Sequence, residues 1–188
     1  GKWSKANLLS TGINTASWDS QASVSADGNT IYFASKRKGG KGGSDIWKSV
    51  KLENGEWCPA INLGDSVNTS ANEMAPFIHP DGNTLYYSSD RLIGMGGYDL
   101  FVSKKDKTCQ WTKGKNLGYP INTKYDEINI FPSMDGKNAW ISSNRNHDST
   151  FYDIYSLKLN DEIKPDNIIV FNGIVVDKKS RLPLNSTI

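Results

Sequence analysis

The chain has 188 residues, of which 37% are hydrophobic, 22% charged and 11% aromatic; a disordered chain would carry fewer aromatics. The formal net charge is +2 and the basic residues gather into no stripe, which argues against nucleic acid as the main partner, because that partner needs a concentrated positive face. No apolar run approaches the roughly 18 residues of a membrane-crossing helix, and Gly1-Lys2-Trp3-Ser4 lacks the layout of a signal peptide.

Landmarks recur every 54 residues. Asn14-Thr15, Asn68-Thr69 and Asn122-Thr123 stand in one register, as do Asp27-Gly28, Asp81-Gly82 and Asp135-Gly136. A fixed period of this size means one supersecondary unit repeated. In chain order, residues 1–13 carry Trp3 and Leu9, which match Trp57 and Leu63 one period on. They are read as the outer strand of a preceding, or circularly closed, unit. Repeat one (14–67) opens with a short strand around Ala22-Ser23-Val24-Ser25. Asp27-Gly28 turns it, since glycine tolerates the positive φ of a tight hairpin. Ile31 to Ser35 form the second strand, and the loop Gly39-Gly40-Lys41-Gly42-Gly43 leads to a third at Asp45-Ile46-Trp47. A fourth includes Trp57 and ends near Leu63.

Repeat two (68–121) copies the plan through Pro76-Phe77-Ile78, Leu85 to Ser89, Asp99-Leu100-Phe101 and Trp111. Repeat three (122–160) follows with Ile130-Phe131-Pro132, Ala139 to Ser143 and Asp153-Ile154-Tyr155. It then departs, because Pro165 stands where a Trp is expected and the loop reads Asn146-His147-Asp148-Ser149-Thr150. Four short strands per unit without helical periodicity predict an all-β β-propeller, partial, of about three four-stranded blades. The in-phase aromatics Tyr32, Tyr86 and Trp140, and Trp47, Phe101 and Tyr155, are expected to pack between blades. Residues 161–167 are polar, contain Pro165 and read as a linker; 168–188 read as the start of a second β-domain. Three blades lie below the usual roughly 4–8, so the chain is expected to be a fragment of a longer polypeptide. Cys58 and Cys109 fall at different phases of the repeat and are read as unpaired thiols, since a disulfide needs Cα atoms within about 7 Å.

His79-Pro80-Asp81-Gly82-Asn83-Thr84-Leu85-Tyr86-Tyr87-Ser88-Ser89-Asp90-Arg91 resembles the Pro-Asp-Gly repeat of TolB-like β-propellers. Gly96-Gly97-Tyr98-Asp99-Leu100-Phe101 and Asn116 to Thr123 are similar to the variant in OmpA-family envelope proteins of Bacteroidetes. Phe171 to Asp177 with Leu182-Pro183-Leu184 resembles the start of the carboxypeptidase-regulatory-like β-sandwich that follows the propeller in that group. Repeats one and three depart from the motif, with Ala26 and Met134 in place of its Pro. The group includes the peptidoglycan-tethered component of the type IX secretion and gliding machinery. The resemblance therefore implies a periplasmic, outer-membrane-associated scaffold whose partners are other envelope and secretion-system proteins. Peptidoglycan would be reached only through a domain outside this chain.

Three arginines, Arg37, Arg91 and Arg145, suggest a carboxylate clamp of the sialidase kind, since guanidinium forks suit that task. They occupy one repeat position, however, as do the acids Asp19, Glu73 and Glu127. A hairpin about Asp81-Gly82 would set Glu73 opposite Asp90 or Arg91, so a repeated acid–arginine pair explains all six as structural cement. Asp45, Asp99 and Asp153 are expected to accept backbone N–H groups at the entry to the third strand. Calcium is the rival there, but no Asp-x-Asp-x-Asp spacing supports it. The histidines, His79 and His147, sit at unrelated phases; His147 lies in the one divergent loop and is a weak candidate contact. The expectation is a non-catalytic scaffold presenting rims and loops to proteins, without cofactor or metal. A glycan- or peptide-binding channel, or a sialidase- or peptidase-type module, are the alternatives.

Overall fold

A computed structural model describes residues 3–146, 151–168 and 176–180. The described residues form eleven strands and no helix. β1 (Asp19–Val24), β2 (Thr30–Ser35), β3 (Asp45–Val50) and β4 (Ile61–Asn62) make one antiparallel sheet in sequence order. β5 (Glu73–Ile78), β6 (Thr84–Ser89), β7 (Asp99–Lys104) and β8 (Lys115–Asn116) repeat it, and β9 (Glu127–Pro132), β10 (Asn138–Ser143) and β11 (Asp153–Lys158) form a third sheet of three strands. The fourth strand is shorter than the sequence suggests: Trp57 makes only an isolated bridge to Lys51, and pairing resumes at Ile61.

The first strand of each sheet is longer than expected, because a bulge hides its beginning. Gln21 (φ 54°), Ala75 (φ 48°) and Asn129 (φ 54°) share one repeat position and adopt the left-handed region. Pairing shifts by one residue there, between Ser20 and Ser23 and between Met74 and Phe77. Such a conformation costs a non-glycine residue about 1–2 kcal/mol. Part of the return is visible between sheets: Ala75 N–H donates to Gln21 Oε1 (2.9 Å) and Ile78 N–H to Ser23 Oγ (3.1 Å). Side chains of one first strand thus satisfy the open edge of the next, which would otherwise present unpaired donors.

Alternation along the strands gives every sheet two apolar faces. Tyr32 and Ile46 on the front of sheet one meet Leu85, Tyr87 and Phe101 on the back of sheet two, with Val67 sealing the seam. Tyr86, Leu100 and Val102 on the front of sheet two meet Ile130, Ala139 and Ile141 of sheet three. The corresponding front of sheet three is bare: Phe131 is 59% exposed, Trp140 44% and Ile154 79%. Of the aromatics expected between sheets, Trp140 is exposed because no sheet covers that face, and Trp47 is buried against Ile13, Phe33 and Trp57 rather than against a neighbouring sheet.

Residues 159–166 run back across the seam between sheets two and three. Leu159 and Ile163 are buried there, Tyr86 Oη donates to the Ile163 carbonyl (2.5 Å), Lys104 Nζ to the Lys164 carbonyl (2.7 Å), and Asp166 N–H to Asp81 Oδ2 (2.8 Å). The stretch expected to be a linker is packed down. Of the anticipated second β-domain, residues 168 and 176–180 are described and the remainder lies outside the described residues.

Candidate functional site

The six repeated acids and arginines lie at one end of the sheets, where β2 joins β3 and β6 joins β7. The register corrects the expected pairing. Asp19 stands opposite Ser35, Glu73 opposite Ser89 and Glu127 opposite Ser143, because the bulge shifts each acid by one residue, from Lys36, Asp90 or Asn144 to the serine before it. The serine hydroxyl becomes the centre of each cluster. Ser35 Oγ donates to Asp19 (2.6 Å) and accepts from Arg37 Nε (2.9 Å). Ser89 does the same between Glu73 (2.8 Å) and Arg91 (3.3 Å), and Ser143 between Glu127 (2.7 Å) and Arg145 (3.0 Å). The acids also receive the backbone N–H and hydroxyl of Thr15, Thr69 and Thr123.

Each guanidinium is held by the serine of its own repeat and by the carbonyl that ends the preceding unit. Arg37 contacts Asp19 (2.7 Å) and the Ile13 carbonyl; Arg145 contacts Glu127 (3.2 Å) and the Ile121 carbonyl (2.7 Å). Arg91 differs: it reaches the Val67 carbonyl (3.4 Å) and the phenol of Tyr87 (2.8 Å), and lies 3.9 Å over the Phe101 ring. The direct acid–arginine pair expected in repeat two is replaced because Tyr87 supplies an acceptor where repeats one and three carry Phe33 and Ile141. Burial pushes Asp19 up, but hydrogen bonds from Ser35, Arg37 and Thr15 outweigh it and bring its carboxyl down to about 2. Burial raises Tyr87 to about 12 against the lowering influence of Arg91. These groups are charged or neutral in the sense that favours holding, with their donors and acceptors already engaged.

Beside them, Asp45 accepts from the N–H groups of Lys41 and Gly42 (3.1 Å) and from Asn62 Nδ2 (2.9 Å). Asp99 accepts from Met95 (2.5 Å), Gly96 (3.3 Å) and Asn116 Nδ2 (3.1 Å). Asp153 opens β11 at the same position. Asn68 grips both backbone groups of Ile46 and bonds Asn62, and Asn122 does the same to Leu100 and Asn116. Sequence reasoning passed over these serines and paired asparagines as working parts, although their recurrence every 54 residues was the available signal. The glycine loops fit by contact: a Cβ at Gly42 would collide with the carbonyls of Ala71 and Thr69, and one at Gly96 with those of Tyr125 and Thr123.

At the opposite end, Asp81 caps its turn through Asn83 N–H (2.8 Å) and both donors of Thr84, and Gly82 takes the positive φ of 68°. Burial raises the Asp81 carboxyl, yet these bonds and that from Asp166 leave it lowered. His79 is fully buried and its Nδ1 accepts from Asp81 N–H (3.2 Å). His147 lies outside the described residues. Cys58 and Cys109 are free thiols. Among the described residues no group of three His, Cys, Asp or Glu is placed to hold a metal. A groove of about 520 Å³ runs along the first strands, lined in part by Phe77, Phe131 and Trp140.

Sheets of one repeat, stacked face to face with their first strands side by side, define a β-propeller-type arrangement. The solved crystal structure of TolB from Acinetobacter baumannii, a β-propeller protein, is similar in fold, with a TM-score of 0.50 and 15% sequence identity. The match covers 73% of this chain and 29% of that one, so the chain spans less than a third of TolB. No protein-family profile matches the sequence, and neither does any curated protein.

Proposed function

We propose that the chain belongs to a non-catalytic β-propeller scaffold of a periplasmic, outer-membrane-associated envelope protein. In this reading it mediates protein–protein interactions in a type IX secretion and gliding machinery linked to peptidoglycan. The observation that carries the non-catalytic part is the treatment of the three arginines. A carboxylate clamp needs guanidinium groups that converge and keep free donors; here Arg37, Arg91 and Arg145 are each bound to the serine of their own repeat and to the carbonyl that ends the preceding unit, Ile13, Val67 or Ile121. The TolB-like fold supports a propeller, whose rigid sheets hold surface loops in place for partners. The three sheets are then successive blades, and the bare front of sheet three is where a further blade seats. The groove along the first strands borrows Phe131, Trp140 and Ile154 from that same bare face, so it favours no separate ligand reading.

The envelope assignment rests on the resemblance of Gly96 to Phe101 and Asn116 to Thr123 to the OmpA-family variant. Its test is crosslinking and co-purification of the natural full-length protein from intact cells. Recovery of outer-membrane secretion components with the protein is the expected result. Recovery of none, with the protein fractionating away from the envelope, would overturn the assignment.

A further inference from the structure

The β6–β7 loop carries three exposed aliphatic side chains: Leu92 is 104% exposed, Ile93 74% and Met95 48%. They are not on slack backbone. Gly94 N–H closes a turn on the Arg91 carbonyl (3.1 Å), Asp99 holds the N–H of Met95 and Gly96, and Gly96 lies against the carbonyls of the next sheet's entry segment. The β2–β3 loop hangs from the same contacts, with Asp45 holding Lys41 and Gly42 and Gly42 against Ala71. Repeat positions therefore correspond at the loop tips: Lys38 stands where Leu92 stands one period later, and Lys41 where Met95 stands. One rim thus presents exposed lysines on one loop and an aliphatic tip at the matching level of its neighbour. Lys124, on the segment entering β9, adds another exposed cation on this rim.

The acids of this rim are turned inward or matched. Glu73 and Glu127 are fully buried, Asp45 and Asp99 cap their loops, Asp90 bonds Asn72, and Asp65 pairs with Lys41. The opposite rim is different, exposing Asp27, Glu53, Asp106, Asp135 and Asp161 among its lysines. A protein-binding hot spot is typically a set of aromatic or arginine anchors in a desolvated interface. A protruding, pre-ordered tip of Leu, Ile and Met flanked by lysines instead meets the two requirements of an anionic bilayer surface: apolar area for the acyl boundary and cations for the headgroups.

We propose that the β2–β3 and β6–β7 loop rim docks on an anionic phospholipid surface, inserting Leu92, Ile93 and Met95 while Lys38 and Lys124 contact headgroups. The proposal stands on exposure and charge and does not depend on the identity of the protein partners. It is tested by flotation of the purified chain with vesicles of phosphatidylethanolamine and phosphatidylglycerol, and with vesicles of phosphatidylcholine alone. Binding is expected to the first and not the second, and to weaken with salt. L92S/I93S is expected to lower partitioning at least tenfold, and K38Q/K124Q by about fivefold for each lysine. All four positions are exposed, and circular dichroism with a thermal melt confirms that the variants remain folded. Absence of binding to the anionic vesicles would overturn the proposal, as would binding unchanged by both pairs. Loss of protein partners from cells by L92S/I93S, without vesicle binding by the parent chain, would assign the rim to a protein instead.

Discussion

Leu100 and Ile154 occupy one repeat position on the third strands of sheets two and three, and they offer a matched pair of perturbations. Leu100 is fully buried and packs in the cluster with Ile130, Ala139 and Ile141 of the next sheet. Truncation to Ala removes three carbons from a seam that cannot collapse without moving two sheets. The expected loss is about 3–4 kcal/mol, the transfer and cavity contributions together. Ile154 is 79% exposed, so Ile154→Ala removes atoms already in water and is expected to cost under about 0.5 kcal/mol. Urea unfolding followed by tryptophan fluorescence reads the difference: with a slope of about 2 kcal/mol/M, Leu100→Ala moves the midpoint down by roughly 1.5–2 M. Ile154→Ala leaves it nearly in place. Equal shifts would refute the reasoning that each sheet buries its front only against the following sheet. In a longer polypeptide whose next blade seats on sheet three, Ile154→Ala should become as costly as Leu100→Ala.

Gly96→Ala drives a Cβ into backbone carbonyls rather than a yielding side chain, and is expected to cost at least about 2 kcal/mol in the same assay. The Asp19 carboxyl, folded at about 2 against an ordinary 3.8, should titrate near that value by carbon-detected NMR. Because the folded value is the lower one, its contribution is complete above the ordinary value and disappears as pH falls towards about 2. Ser35→Ala, which removes one of its donors, should raise the titration. Tyr86→Phe leaves the Ile163 carbonyl without its donor in a buried seam, costing about 1–3 kcal/mol, and hydrogen exchange should speed across residues 159–166 before the sheets respond.

The period of 54 residues made the stacked sheets readable, because Asp-Gly turns and aromatic strands recur without a break in phase. The contents of each cluster were less so. A left-handed residue at Gln21, Ala75 and Asn129 carries no glycine to announce it, and the bulge it creates shifts each acid one residue along, onto the serine. Tyr87 looked like one more packing aromatic, yet its hydroxyl takes the place of the carboxylate at Arg91. The exposure of Trp140 was beyond reach, since burial there depends on a neighbouring sheet and not on the strand itself. The docked stretch 159–166 read as polar because three of its anchoring bonds use backbone groups, which composition does not reveal.

The central claim, that matched charges in repeated sheets hold the structure together and leave no anion clamp, is tested most directly by crystallography of the full-length protein. The map should be taken with a saturating sialic acid-type carboxylate in the crystal. The expected map shows sheets arrayed about a channel, with Arg37 on the Ile13 carbonyl, Arg91 on that of Val67 and Arg145 on that of Ile121. Three guanidinium groups gathered on one bound carboxylate would contradict it.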